Sequence, residues 1–136
     1  MLDLKQEKDA HIDQRLRTET IIWLGSVRPD GRPHLVPVWF LWDGSNVLIF
    51  SQPNNQKIRN LRNNKYVTLA LEAAQGGSEI VVLEGTAELV DNFDAGTIQP
   101  PYAQKYAAQI QAMGWTVESM AKDFSQLIRI TPTKFR

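Results

Sequence analysis

The stretch Leu35–Leu61, LVPVWFLWDGSNVLIFSQPNNQKIRNL, decides the fold. Its first part is apolar and rich in β-branched and aromatic residues, Asp43-Gly44-Ser45 is a tight-turn signal, and Asn46–Gln52 resumes the apolar run, so the stretch predicts two strands joined by a turn. Pro53 cannot donate to a ladder and ends the second strand. Asn54 or Asn55 is then placed to cap a helix running to about Asn63, with Ile58 and Leu61 on its buried side.

Upstream, Thr20–Arg28 and His34–Trp42 flank the turn signal Pro29-Asp30-Gly31-Arg32 as a hairpin. With Asn46–Gln52 these strands are expected to form an antiparallel meander. Residues 3–17 read as an amphipathic helix with a thin apolar stripe, Leu2, Ile12 and Leu16, suited to a packing lid or dimer arm rather than a core element. Downstream, Tyr66–Glu72 is a short strand, AAQGG with Ser78 is a flexible turn, and Glu79–Val90 is a long strand in which Gly85 marks a bulge or bend. Pro100-Pro101 starts a helix to about Met113, with Tyr102, Tyr106, Ile110 and Met113 at helical spacing, and Thr116–Asp123 adds a further turn or two. Gln126–Arg136 alternates around Pro132, which makes it an edge or a kinked strand. Six mostly antiparallel strands with a bend-prone long one predict a single domain over 1–136: a small mainly β barrel with peripheral helices, an N-terminal helical arm over 1–18 and a helical insertion over 100–123.

The composition narrows the chemistry. Fifteen Lys and Arg balance 15 Asp and Glu, so no global field draws the chain to nucleic acid or an anionic membrane, and any anion site is local. There is no cysteine, which removes disulfides, thiolate nucleophiles and Cys-based zinc or iron–sulfur sites. No apolar run of about 18 residues is present to span a bilayer, and the charged N-terminus is unlike a signal peptide, so the expected location is the cytoplasm. The two histidines, His11 and His34, have no partner at metal-ligand spacing. No carboxylate pair, G-x-S-x-G elbow, GxGxxG or Walker loop is present, so in an enzyme a cofactor would carry the chemistry.

Two features offer a place for one. The start of the helix after Pro53 presents unpaired N–H groups and a partial positive charge to an anion, with Lys57 in the first turn and Ser51 and Asn55 as neutral donors. At 100° per residue Lys57 lies near the Ile58/Leu61 face, while Arg59 and Arg62 point together elsewhere. A plain surface helix with solvated cations is the competing reading. In Val36-Pro37-Val38-Trp39-Phe40 the proline leaves a ladder position without its donor, and neighbouring backbone groups at an edge can meet a ligand's heteroatoms instead. Barrel core is the competing reading there, and the better one for Phe40 and Leu41.

Taken in order, GRPH, P-V-W-F, D-G, F-S, K-x-R-N-L, VLEGTAELV and the terminal ITPTKFR resemble the flavin-binding split-barrel family named for pyridoxamine phosphate oxidase, from about Thr20 to the end of the chain. The likeness is to its small single-domain members that use flavin or deazaflavin. The resemblance implies a six-stranded antiparallel split β-barrel of the FMN-binding type, forming a homodimer with cofactor sites at the subunit interface. It would place Leu35, Val36, Pro37 and Val38 along the cofactor ring through their backbone, Phe50 and Ser51 beside the ribityl–phosphate region, and Lys57 on the phosphate with Asn55 and Gln56 nearby. Many relatives carry an arginine or serine just before that lysine; Asn55-Gln56 here leaves the phosphate to Lys57 and backbone donors. Partner-subunit residues around Gly77–Glu79 and the terminal strand would complete the site. Vitamin B6 oxidases close with an Arg-x-His segment, whereas this sequence ends Lys134-Phe135-Arg136, so pyridoxamine phosphate oxidation is not expected. The expectation is an FMN-dependent oxidoreductase acting on a small molecule, with no side chain standing out as general acid or base. The deazaflavin coenzyme F-420 is the alternative, its longer tail drawing on Arg59 and Arg62. A non-enzymatic carrier of flavin or tetrapyrrole is another, with His34 as the only strand histidine.

Overall fold

The computed structural model describes residues 2–73, 79–93 and 95–136, without the side chains of residues 95–99. The turn expected over AAQGG and Ser78, and the partner-site positions Gly77 and Ser78, lie outside them apart from Ala73. The elements are α1 (Glu7–Thr18), β1 (Ile22–Val27), β2 (Pro33–Val38), β3 (Leu41–Trp42), β4 (Val47–Ser51), α2 (Gln56–Asn63), β5 (Tyr66–Leu71), β6 (Val82–Val90), α3 (Ala95–Lys105), α4 (Ala107–Ala112), α5 (Val117–Asp123) and β7 (Gln126–Phe135). All strands join one seven-stranded antiparallel sheet in the order β2-β1-β5-β6-β7-β4-β3.

The two edges, β2 and β3, are separated in the chain only by Trp39 and Phe40. Three Cα–Cα steps span at most ~11 Å, whereas the edges of seven flat strands would lie ~29 Å apart. The sheet must therefore curl until its edges nearly meet, and the result is a half-barrel split at this junction. Two expectations are corrected here. The sheet has seven strands rather than six, because His34–Trp42 is not one strand: Phe40 gives its backbone groups to helix side chains described below, and the ladder breaks. The meander expected of the first three strands is broken at the same place: β2 pairs with β1 and β3 with β4, both antiparallel as expected, but β2 and β3 are opposite edges of the sheet.

β4 is buried at all five positions because it has cores on both faces. Val47 and Ile49 point into the main core with Leu24, Leu69 and Ile128. Leu48 and Phe50 point the other way into a second cluster with Tyr102, Tyr106, Ile110 and Met120 from the helical segment. The N-terminal helix, expected as a lid or arm, sends Ile12 and Leu16 into the main core. Its Arg15 is buried as well, its guanidinium donating to the carbonyls of Glu72 and Glu79.

The bulge expected at Gly85 is present as a register shift between Glu84 and Gly85 opposite Thr133. A Cβ on Gly85 would stand 2.7 Å from the Thr131 carbonyl oxygen, so only glycine lets the two strands approach there. Of the two expectations for β7, an edge or a kinked strand, the edge is not found: β7 lies between β6 and β4, with its irregularity beside Pro132. Its β4 partner extends only over Gln126–Ile130, however, so Pro132 falls where the strand has a neighbour on one side alone and its missing N–H breaks nothing. The helix expected to begin at Pro100 begins at Ala95 and breaks at Tyr106. The prolines lack the N–H groups that would close onto residues 96 and 97, so the segment before them can only be a leading turn.

Candidate functional site

The loop after β4 and the first turn of α2 are fixed by a short polar chain. Ser51 is fully buried, and its hydroxyl lies 2.8 Å from the Gln52 carbonyl and 3.2 Å from Asn55 Oδ1. Asn55 occupies the N-cap position, yet its side chain caps nothing; its carbonyl oxygen faces Ser51 instead, and the capping role expected for it is not filled. The first-turn N–H groups are thus left without a side-chain acceptor, the state in which a helix start attracts anions. Gln56 donates to Asn60 Oδ1 at 2.7 Å and accepts from Arg59 at 2.7 Å, and the fully buried Asn60 donates to Ser26 Oγ at 3.0 Å. With Ile58 and Leu61 in the core, this chain docks α2 against β1 and sets the direction of Lys57.

Lys57 is half-buried and, among the described residues, donates to no acceptor. Burial holds its amine below the usual lysine range. Arg59 and Arg62 are exposed on the solvent side, so one cation faces inward and two outward, as the helical spacing requires. Lys57 lines a cavity of about 280 Å³ together with Pro37, Val38, Trp39 and Phe50. Four of the nine residues singled out from the sequence, Pro37, Val38, Phe50 and Lys57, thus meet in one hollow. The other five do not line it. Val36 packs against the main core, Ser51, Asn55 and Gln56 are engaged behind it as just described, and Leu35 points into a second, open hollow with Gly25, Tyr66 and Gly85.

The far side of the cavity is formed by residues for which the sequence reading had no role: Tyr102, Met113, Trp115, Met120 and Phe124 of the helical segment, with Ile21. Local signals account for their placement. Gly114 has φ +73 and donates to the Gln111 carbonyl, while Trp115 N–H reaches the Ile110 carbonyl at 3.0 Å. That is a Schellman end to α4, in which glycine takes the left-handed position. Thr116 then opens α5 with a reciprocal capping box to Ser119. Trp115 is therefore held in a two-sided turn between helices, and the spelling M-G-W-T-x-x-S carries both signals.

The junction of the sheet edges is clasped by the same segment. The Phe40 N–H donates to Tyr106 Oη at 2.8 Å, Tyr106 donates to the Thr20 carbonyl at 2.6 Å, and Lys105 donates to the Phe40 carbonyl at 2.8 Å. Tyr106 also stacks on Trp39, with ring centroids 4.4 Å apart and planes 4° from parallel. These side chains replace the strand partners that Phe40 lacks. Burial raises the Tyr106 hydroxyl and lowers the Lys105 amine to about 8. His34 on β2 is half-buried, with Nδ1 enclosed and without a partner among the described residues, and burial, then the charges of Arg28 and Lys57, hold its imidazole below the usual histidine range.

As an edge strand, β2 has backbone groups on one side with no strand partner. A cavity with an open strand edge, aromatic walls and one ammonium that is unpaired among the described residues fits a planar ring cofactor carrying a phosphate. Among the described residues no helix is long and apolar enough to cross a membrane.

In structure the chain is similar to an F420 reductase (TM-score 0.72, 23% identity, covering 91% of this chain and 94% of that one). It is similar too to a conserved hypothetical protein from Mycobacterium tuberculosis (TM-score 0.76, 25% identity, 93% and 81%). The heme storage protein HutZ from Vibrio cholerae shares the fold at 17% identity (TM-score 0.60, 92% and 87%). No curated protein matches the chain in sequence. The family model described as pyridoxamine 5'-phosphate oxidase matches residues 9–136, and the chain belongs to that family.

Proposed function

We propose that this chain is an FMN-dependent oxidoreductase acting on a small molecule, and that it works as a homodimer. The observation that carries the reading is Lys57: a half-buried ammonium with no acceptor among the described residues, at an uncapped helix start, in the same cavity as Pro37, Val38, Trp39 and Phe50. Lys57 and the first-turn N–H groups of α2 would hold the phosphate. Ser51, Asn55 and Gln56 act by fixing the loop and helix rather than as direct donors. Backbone groups on the open side of the β2 edge, beside Pro37 and Val38, would orient the ring, and the apolar lining would exclude water from it. When bound, the flavin supplies hydride transfer through N5. The experiment is a titration of purified protein with FMN and with riboflavin, followed by flavin fluorescence. FMN is expected to bind tightly and riboflavin, which lacks the phosphate, more weakly, with Lys57→Ala narrowing the difference. Equal binding of FMN by wild type and Lys57→Ala would remove the phosphate assignment.

The deazaflavin coenzyme is the second reading, favoured by the fold shared with an F420 reductase and by Arg59 and Arg62, which lie exposed near the same helix for a longer anionic tail. Protein that ignores FMN and takes up only the deazaflavin would decide for it. A tetrapyrrole carrier is supported by the fold shared with a heme storage protein and by the unpaired His34 Nδ1. His34→Ala with unchanged haem affinity would dispose of that version.

A further inference from the structure

The helical segment supplies Tyr102, Met113, Trp115, Met120 and Phe124 to the cavity's apolar lining, and the cofactor reading uses them only to exclude water. Trp39 has one indole face covered by Tyr106, and Tyr106 is held in turn by its hydroxyl between the Phe40 N–H and the Thr20 carbonyl. Trp39 is therefore a fixed aromatic surface. Trp115 stands 6.3 Å from it at 54°. A ring inserted between two faces needs their centroids at least ~9 Å apart, twice the closest stacked spacing, so the two indoles form one angled wall and not a slot. At the cavity mouth Met113 is 53% and Trp115 39% exposed, although both are large apolar side chains held in place by a Schellman turn and a capping box. Among the described residues the only charged one lining the cavity is Lys57, which the cofactor reading assigns to the phosphate. Nothing at the mouth offsets the desolvation of a charged reactant.

We propose that Trp115 and Met113, backed by Trp39, form the substrate subsite, and that the substrate is a flat, uncharged ring compound. The inference rests on the cofactor reading in one respect: a cavity of about 280 Å³ is at or below the small end of ligand pockets, ~300 Å³, so with the cofactor ring against Pro37–Trp39 a reactant must lie over it, at the mouth. Tyr106 is a positioning residue, acting through Trp39.

The test uses 2-naphthol as the flat probe and decahydro-2-naphthol, its puckered saturated counterpart, titrated into apo and FMN-loaded protein by equilibrium dialysis. Wild type is expected to prefer the flat alcohol. Trp115→Ala, at a position 39% exposed, is expected to weaken 2-naphthol binding about 3- to 10-fold and to leave FMN affinity within about twofold. Tyr106→Phe keeps the stack but frees the ring, and is expected to weaken 2-naphthol with an altered near-ultraviolet circular dichroism signal from Trp39. Equal binding of the two alcohols, indifference to Trp115, or a parallel fall in FMN affinity would overturn the proposal. Flat-probe binding through Trp115 in a protein that takes up neither FMN nor deazaflavin would uphold the ring subsite while removing the cofactor reading.

Discussion

Lysine 57 and lysine 105 are both half-buried, but they are satisfied differently. Lys105 donates to the Phe40 carbonyl at 2.8 Å and lies 3.7 Å from the Phe40 ring centroid; Lys57 has no such partner among the described residues. Removing Lys57 should therefore cost ligand and not fold: Lys57→Ala is expected to weaken FMN by about 1.5–3 kcal/mol, the range for a charge-assisted hydrogen bond, with an unchanged urea midpoint. The ammonium must be charged to hold a phosphate, and burial depresses its pKa. FMN affinity should accordingly fall as pH rises through a range below that of an ordinary lysine, while riboflavin affinity stays flat. Lys105 gives a stability effect instead. Burial holds it at about 8 against 10.5, partly opposed by Glu19, so the folded chain releases this proton before the unfolded chain does. The cost of keeping the charge buried is then present in full below about pH 8 and fades as pH rises toward 10.5. Urea midpoints of wild type relative to Lys105→Met are expected to rise between about pH 7.5 and 9.5. A constant offset over that range would mean that the amine is ordinarily solvated.

Among the elements, the β6–β7 pair carries the longest ladder, and its register depends on Gly85. An alanine Cβ there would meet backbone at 2.7 Å and Ile130 Cγ2 at 3.0 Å, and backbone cannot swing aside as a flexible side chain can. Gly85→Ala is expected to destabilise by about 1–3 kcal/mol, the usual cost of overpacking, read as a lower urea midpoint; an unchanged midpoint would mean that the bulge is soft. This glycine was legible in the sequence because a gap in a β-branched run is a local signal. The α2 pattern was legible for the same reason, since Lys57, Ile58 and Leu61 obey helical spacing. The break at Trp39-Phe40 was not. Its cause lies 65 and 66 residues away, in Lys105 and Tyr106, and no local pattern in PVWFLW announces a partner that distant. The far wall of the cavity was missed in a subtler way. Tyr102, Tyr106 and Ile110 were visible as a helical stripe, but a stripe does not say which face of which strand it will cover. Only the double burial of β4, with Leu48 and Phe50 needing a second core, explains why the helices sit there.

For the whole molecule, the outstanding feature is a face without cover. Leu35 and Tyr66 are each 64% exposed and project beside a hollow that also includes Gly25, Thr68, Gly85 and Thr133. The hollow is concave because side chains are missing from its floor: a Cβ on Gly25 would lie 2.6 Å from Thr68 Oγ1, as Gly85 would crowd Thr131. Two apolar knobs and an apolar-floored recess on one surface meet the requirement of a two-fold contact, in which each copy must offer both the projection and its receptor. This supports the homodimer proposed above, in which Leu35 would serve the interface in place of lying along the ring. Leu35 also lies two residues from Pro37, which lines the cavity, so the partner copy would approach the site from that side. Leu35→Asp places a charge where the apolar contact forms and is expected to convert a dimer into a monomer in sedimentation equilibrium at micromolar concentration. The wild-type melting temperature should rise with protein concentration, as mass action requires when association stabilises the folded state, and that of Leu35→Asp should not. FMN affinity should fall with dissociation, since the cavity would lose its second boundary, and should recover if the concentration is raised until the variant associates. A wild type that sediments as a monomer, or a Leu35→Asp variant that remains a dimer, would place the interface elsewhere and leave the exposed Leu35 and Tyr66 pair to a different partner.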